Sequence, residues 1–235
     1  MAEYIACSSH TLSASYIILP SFIKGLIEKD NVEDAFAYML DNVTPDWQNS
    51  YRIPGVIAHN GDFKLLRASS LDGIIDAAHR LASRLVALYP THKEAIDRAT
   101  CQVYRFYNYH DESRRYITPF FDLQDYADKL AANTDDAELA AIAQDLKTAF
   151  GQAFVQSVDV NWCGDHLDHY SLSVCLYDDQ AYHYDFLGTG GDAKSNIGTG
   201  YEQCTFHQLT GWGDFLSINT CPPTGNPECG GGGML

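Results

Sequence analysis

The stretch that decides the fold is residues 2–10, AEYIACSSH, near the start of the chain. Its apolar run from Tyr4 to Cys7 predicts a short buried strand, and the small polar residues that follow, through Ser15, predict a loop. Helical patterns come directly after this loop and further strand patterns come after them. Strands interleaved with helices predict an α/β or α+β fold.

The Cys7 and His10 pair in this stretch admits three interpretations: a lipidated cysteine behind a signal peptide, a catalytic nucleophile, or a strand running into a loop. A lipidated cysteine follows a basic stretch and an apolar core of about 7–15 residues, whereas the few residues before Cys7 include Glu3. A nucleophile needs a base and a setting that lowers the thiol pKa. Only His10 is nearby, and neighbours on a strand point in divergent directions. The residues themselves therefore favour an ordinary strand and loop.

The composition is that of an acidic globular protein. The chain has 235 residues, of which 46% are hydrophobic, so it can form one large core or two small ones. Its formal net charge is −16 with only 15 Lys and Arg residues, which argues against nucleic-acid or anionic-membrane partners and suits cationic substrates. The longest apolar stretch, Tyr16 to Ile27, is broken by Pro20, Ser21 and Lys24, so we expect no membrane span.

Seven cysteines, an odd number spread over a long chain, do not form the pattern of a small disulfide scaffold. Cys221 and Cys229 flank a Pro/Gly-rich tail and can pair if the compartment is oxidising. The other five are interpreted mostly as buried thiols.

Apolar periodicity predicts several helices. The first helix is capped by Ser21, and the second begins after Asn31 and ends at Pro45. The third carries an apolar stripe from Leu71 to Leu88, with His79 on its polar side. The fourth is entered through Phe120-Phe121-Asp122-Leu123 and continues through Leu130. Asp135 and Glu138 resemble a capping pair for a further helix with a stripe of Leu139, Ile142, Leu146 and Phe150. A last short amphipathic piece is predicted around Trp212 to Ile218.

Further strands and turns are predicted between the helices. The strand-like stretches are Arg52 to Ala58, Cys101 to Tyr107, Phe154 to Trp162 and Tyr170 to Tyr177. A turn is predicted at Asn60-Gly61-Asp62, and the chain becomes irregular after Gly188.

Two clusters raise the question of ligand chemistry. The glycine-rich stretch from Gly188 to Ser195 lacks the Gly-Lys-Ser/Thr of a phosphate loop, since Ala193 precedes Lys194, and is interpreted as a flexible loop. Cys163, His166 and His169 form the densest group of candidate metal ligands. No second ligand pair accompanies them, so a polar turn between strands is favoured over a zinc site. The residues alone thus contain no complete catalytic constellation.

Five stretches taken in order resemble the clostripain-like cysteine peptidases. "MAEYIACSS" is similar to the family strand that follows the helix after the catalytic cysteine, and "GVIAHNGDFKLLRASSLDGIIDAAHRLASRL" is similar to a later strand and helix. "FFDLQDYADKL" resembles a helix entry, "HYSLSVCLY" a strand, and "LTGWGDFL" the closing motif. The order and approximate spacing agree across nearly the whole chain.

The resemblance implies part of a caspase-like three-layer α/β/α sandwich with a C-terminal α+β extension. The implied divisions are residues 1–120, the C-terminal half of the peptidase domain, residues 121–220, a subdomain packed on it, and residues 221–235, a flexible tail. In the family the nucleophile lies in an Asp-x-Cys motif upstream of the position of Cys7, and the base histidine lies earlier still. The resemblance therefore implies that this chain carries no catalytic residue. Ser8, Ser9 and His10 would then border the substrate cleft.

The implied function is that of a C-terminal fragment of a secreted or cell-envelope bacterial endopeptidase. Its expected partners are a peptide or protein substrate and the upstream part of the same polypeptide or a companion light chain. The resemblance implies cleavage after Arg or Lys and, in some members, a calcium requirement. This chain departs from the pattern because no carboxylate lies between Cys7 and Tyr16, where acids would pair with a cationic substrate. The alternative hypothesis is a non-catalytic binding module or pseudopeptidase, with zinc held by Cys163, His166 and His169.

Overall fold

The computed structural model describes residues 3–7, 15–50, 61–103, 120–160, 172–175 and 205–219. Within them helices and strands interleave along the chain, which confirms the predicted α/β class. The strands are β1 (Tyr4–Cys7), β2 (Gly61–Arg67), β3 (Phe120–Asp122), β4 (Phe154–Val160) and β5 (Ser173–Cys175). The helices are α1 (Ser15–Glu28), α2 (Val32–Ser50), α3 (Leu71–Gln102), α4 (Leu123–Thr134), α5 (Ala137–Ala153), α6 (Thr205–Thr210) and α7 (Trp212–Ile218).

The elements belong to two compact units that alternate along the chain. The first unit contains β1, α1, α2, β2 and β4. The second contains β3, β5, α4, α6, α7 and nearly all of α3 and α5. No helix in the described part of the chain has the length and apolar character needed to cross a membrane.

The first unit is built on an antiparallel sheet in the order β1–β2–β4. Cys7, the last residue of β1, lies opposite Lys64 on β2. β2 also pairs with β4, and a bulge shifts the register of this pairing between Leu65 and Leu66. Both leucines are buried. The extra residue of this bulge lies on β4, because Leu65 pairs with Gln156 and Leu66 with Phe154. In β2 itself Lys64, Leu65 and Leu66 are all buried, so its sequence does not show the period of two that identifies a strand.

Helices α1 and α2 pack tightly in the same unit. Asn31 caps α2 as predicted, because its Oδ1 accepts a backbone N–H of the first turn at 2.8 Å. The Phe22 and Phe36 rings meet edge to face with centroids 6.3 Å apart. Gly25 permits the close approach, since a Cβ there would lie 2.6 Å from the Ala35 carbonyl oxygen.

The second unit buries the apolar stripes that the sequence predicts. The buried members of the α3 stripe are Ile74, Ala78, Leu81, Leu85 and Leu88, and those of α5 within this unit are Leu139, Ile142 and Leu146. Asp122 caps α4, as its side chain accepts the Asp125 N–H at 2.9 Å. Helix α3 continues past the predicted end to Gln102, with a kink at His92 two residues after Pro90.

Several predicted boundaries were wrong. Helix α1 begins at Ser15 instead of Ser21 and passes through Pro20, and α2 passes through Pro45 to end at Ser50. Each proline removes one intrahelical hydrogen bond, and helices in proteins draw most of their stability from packing. A proline inside an otherwise helical pattern is therefore not a sufficient stop signal here.

The turn predicted at Asn60-Gly61-Asp62 was also wrong in part, because Gly61 and Asp62 open β2. Cys101 lies in α3, not in a strand, and is disulfide-bonded, so it is not the free thiol that was expected. At α5 the cap is Asp136, whose Oδ1 accepts the Leu139 N–H at 2.8 Å.

Asp135 plays a different role from the predicted cap, because it ends α4 in the left-handed region with φ 53°. Aspartate tolerates that conformation better than most residues do.

The later strands β4 and β5 occupy parts of the predicted ranges. The strand predicted at Arg52 to Ala58 lies outside the described residues.

Candidate functional site

The predicted substrate segment, Ser8, Ser9 and His10, lies outside the described residues, but the elements on either side of it are described. β1 ends at Cys7 and α1 begins at Ser15. The candidate site is therefore the connection between a strand and a helix of the first unit.

A polar cluster fixes the other end of β1 to its surroundings. The Tyr4 hydroxyl donates to Glu33 Oε1 of α2 at 2.7 Å, and Arg67 Nη2 lies 3.6 Å from the same oxygen. This hydrogen bond, followed by partial burial and the nearby negative charge, raises the pKa of the Tyr4 hydroxyl. The Ala68 N–H also donates to the Glu3 carbonyl at 2.8 Å. The strand that leads into the candidate site is thus held by side-chain and backbone bonds.

Lys64, opposite Cys7, is a feature that the sequence analysis missed. Its side chain is buried, with 1% exposed, and Nζ lies 5.4 Å from the centroid of the Phe154 ring. Phe154 is in turn stacked on Phe150, with centroids 5.5 Å apart. The sequence did contain a sign of this burial, a lysine inside the apolar run of residues 63–66. Long cationic side chains can pack their apolar stems, and place their charge, against aromatic rings.

The candidate ligand clusters fall outside the described residues. Cys163, His166 and His169 stand between β4 and β5 in sequence, and Gly188 to Ser195 follows β5. Within the ranges that the structure describes, no group of three or more His, Cys, Asp or Glu side chains is placed to hold a metal ion.

In the second unit the structure brings together residues of four of the five stretches that carry the family resemblance. β3, from FFDLQDYADKL, pairs antiparallel with β5, from HYSLSVCLY, so that Phe121 lies opposite Val174. The Leu123 N–H extends this pairing by donating to the Leu172 carbonyl at 3.0 Å. Two motifs far apart in sequence thus form one small sheet.

The closing motif LTGWGDFL packs on the same region. The Trp212 and Phe215 side chains are fully buried and both contact the Tyr126 ring of α4, with centroids 6.4 Å and 6.5 Å away. Tyr126 is anchored in turn by Thr100, whose Oγ1 lies 3.2 Å from the tyrosine hydroxyl. An aromatic core therefore joins α3, α4 and α7.

The stretch GVIAHNGDFKLLRASSLDGIIDAAHRLASRL, residues 55–85, contacts this region through a histidine. His79 on α3 is exposed, as predicted, yet its Nδ1 lies 3.1 Å from the Thr210 carbonyl oxygen at the end of α6. A carbonyl only accepts hydrogen bonds, so Nδ1 carries the proton. Residues of four of the five motifs that suggested the family from sequence are therefore mutually packed within one unit.

Comparison with known proteins gives a likeness of fold. No protein family model matches the chain, and no curated protein sequence matches it. The B. fragilis cysteine protease structure matches with a TM-score of 0.55 and 13% identity, covering 91% of this chain and 79% of that one. This match shows that the chain shares the fold of that structure, in agreement with the predicted fold class.

Two further solved structures match less closely. An inactive zymogen C11 protease from Parabacteroides distasonis gives a TM-score of 0.47 at 12% identity, covering 89% of this chain and 52% of that one. A secreted C11 cysteine protease from Bacteroides thetaiotaomicron, in complex with an irreversible peptide inhibitor, gives 0.45 at 12% identity, covering 90% and 53%. The chain therefore spans about half the length of these two proteins.

Proposed function

We propose that this chain is the C-terminal portion of a clostripain-like cysteine endopeptidase, and that the catalytic cysteine and histidine lie upstream of it. The observation that carries the proposal is the fold match to the B. fragilis cysteine protease over 91% of this chain. The contacts among four of the family-like motifs support it independently. A chance sequence resemblance gives no reason for those stretches to pack on one another.

The proposed reaction is peptide-bond hydrolysis through a covalent intermediate. An upstream histidine takes the proton from an upstream cysteine, and the thiolate attacks the peptide carbonyl. The amine leaves with a proton from the histidine, and water then hydrolyses the thioester to release the acid and regenerate the thiol. This chain contributes to binding and support and supplies neither of the two reacting side chains.

We assign substrate binding to Ser8, Ser9 and His10. The segment begins where β1 ends at Cys7, on a strand held by the Tyr4–Glu33 hydrogen bond. Because residues 7–16 contain no carboxylate, we do not extend the Arg or Lys preference of the family to this chain. His10 is the one member of the segment that changes charge near neutral pH.

The proposal includes a secreted or cell-envelope location and partnership with the upstream part of the polypeptide or a companion light chain. The disulfide at Cys101 supports an oxidising compartment, because such bonds are rare in the reducing cytosol. The division into residues 1–120, 121–220 and 221–235 belongs to the same proposal.

The test begins with the natural coding sequence upstream of residue 1. We expect a strand ending in histidine and, after it, an Asp-x-Cys motif before the position of Cys7. The extended protein should then react covalently with an irreversible peptide inhibitor, and a variant with that cysteine changed to alanine should not. An in-frame stop upstream, or an upstream strand with the cysteine replaced, would overturn the proposal.

A second experiment isolates the substrate segment. The measurement compares two peptides that differ in the residue before the cleaved bond. In the extended protein, His10→Ala should change the ratio of their kcat/KM values. His79→Ala, an exposed histidine of the second unit, is the matched control and should leave that ratio unchanged. An unchanged ratio in His10→Ala would remove the assignment of the segment without removing the peptidase function.

A further inference from the structure

The corner between α6 and α7 contains a histidine that accepts a backbone hydrogen bond. His207 Nδ1 lies 3.0 Å from the Gly213 nitrogen and accepts its N–H. A ring nitrogen accepts only when it carries no proton, so this bond requires a neutral His207 with its proton on Nε2. This bond exists in one protonation state only.

The fit between this ring and the chain is tight. A Cβ on Gly213 would lie 2.6 Å from His207 Nδ1 and 2.9 Å from Cε1. The His207 carbonyl also accepts the N–H of Gly211, which has φ +70°, at 2.7 Å. His207 therefore holds both glycines that flank the fully buried Trp212.

The other ionisable groups around the corner behave differently. His79 on α3 donates from Nδ1 to the Thr210 carbonyl, and this bond survives when the ring becomes charged, because the same N–H remains. Asp214, on the first turn of α7, is exposed. Tyr126 and Tyr89 place their rings against the aromatic residues of α7.

We propose that the α6–α7 corner is a pH-operated latch, closed when His207 is neutral and opened when His207 takes up a proton. Protonation replaces the acceptor at Nδ1 by a second donor that faces the Gly213 N–H. The bond is lost, because two N–H donors then face each other, one of them charged. Histidine is the side chain type whose charge ordinarily changes in mild acid, so we expect the latch to be closed at neutral pH and open in mild acid, which frees the Gly213 amide at the start of α7.

The test is hydrogen exchange of the backbone amides of α7 at about pH 7.5 and about pH 5.5, corrected for intrinsic exchange. In the unmodified chain the protection of the Gly213 amide should fall about tenfold in acid, as expected for one lost hydrogen bond. Amides of α4 should change much less.

Two variants separate the latch from a general effect of acid. In His207→Asn the side-chain oxygen can accept the Gly213 N–H at both pH values, so protection should not depend on pH. In His79→Asn the amide N–H still donates to Thr210, and the pH dependence should remain that of the unmodified chain. Equal protection of the unmodified chain at the two pH values, or the same acid loss in His207→Asn, would overturn the proposal. If His207→Asn does not fold, His207→Gln provides the same acceptor from a longer side chain.

Discussion

The Tyr126 and Trp212 rings meet edge to face with their centroids 6.4 Å apart, although they come from motifs far apart in sequence. Both side chains are fully buried. Phe215 completes the cluster, 5.7 Å from Trp212. Aromatic pairs of this geometry contribute beyond the area that they bury, so this cluster is where the second unit should be most sensitive to substitution.

Replacing Trp212 by alanine should therefore lower the free energy of unfolding by about 3–5 kcal/mol, the usual cost of truncating a buried tryptophan. Chemical denaturation followed by circular dichroism measures this change. Leu209→Ala, at a half-exposed side chain three residues away, is the control and should change stability far less. Equal losses in the two variants would mean that the aromatic cluster is not the core of this unit.

The sequence predicted those elements whose periodicity is uninterrupted. The stripes of α3 and α5, the Asn31 cap and the Asp122 helix entry follow from local rules and were confirmed. β2 was missed because three consecutive residues, Lys64, Leu65 and Leu66, are buried, so the strand lacks the alternation that identifies one. Its pairing with two other strands depends on residues far away in sequence, and no local pattern contains that information.

The site was less predictable than the fold. Motif order indicated which stretches belong together, and the contacts among Phe121, Tyr126, Val174 and Trp212 agree with it. No periodicity could indicate that His207 accepts a bond from Gly213, because that requires a particular ring orientation at a left-handed glycine corner. The assignment of Ser8, Ser9 and His10 stays a prediction.

Gly25 should not tolerate a methyl group. A Cβ would lie 2.6 Å from the Ala35 carbonyl oxygen, a backbone atom that can move only if α1 and α2 separate. Overpacking of this kind costs about 1–3 kcal/mol. We expect Gly25→Ala to lower the free energy of unfolding by that amount in a denaturant titration.

Gly151 provides the matched control for Gly25. It lies in α5, is exposed, and a Cβ there would meet nothing within 4 Å. Alanine is a better helix former than glycine by about 1 kcal/mol, so Gly151→Ala should be neutral or stabilising. Stabilisation by both substitutions would contradict the close approach of α1 and α2.

The Arg84–Asp136 ion pair should make stability depend on acid. Arg84 bonds Asp136 through both Nε and Nη2, with Nε 3.2 Å from Oδ1. The hydrogen bond from Arg84, aided by the backbone N–H of Leu139, holds the pKa of the Asp136 carboxyl below its ordinary value. A lowered folded-state pKa contributes stability above the unfolded pKa of about 3.9, and this contribution is lost as the pH falls through the folded value.

Asp136→Ala also removes the cap of α5, which should cost about 1 kcal/mol at neutral pH. Thermal unfolding at about pH 7 and about pH 3 measures both effects, since the lower value lies below the unfolded pKa of about 3.9, where the contribution of the pair begins to be lost. The difference between variant and unmodified chain should be larger at neutral pH. Asp145→Ala, at an exposed partner of Arg80, should show little of this dependence. A constant difference across pH for Asp136→Ala would mean that the pair with Arg84 does not form in solution.

Asn219 is a buried polar side chain whose removal from water is not offset by hydrogen bonds. Its side chain is 2% exposed, and neither its Oδ1 nor its Nδ2 has a hydrogen-bond partner among the residues that the structure describes. An unsatisfied buried polar group costs about 1–3 kcal/mol, whereas leucine has a similar size and no polar atoms. We therefore expect Asn219→Leu to raise the free energy of unfolding, and Asn219→Asp, which buries a charge, to lower it. Denaturant titration distinguishes the two, and destabilisation by leucine would show that water or another polar group satisfies this amide in solution.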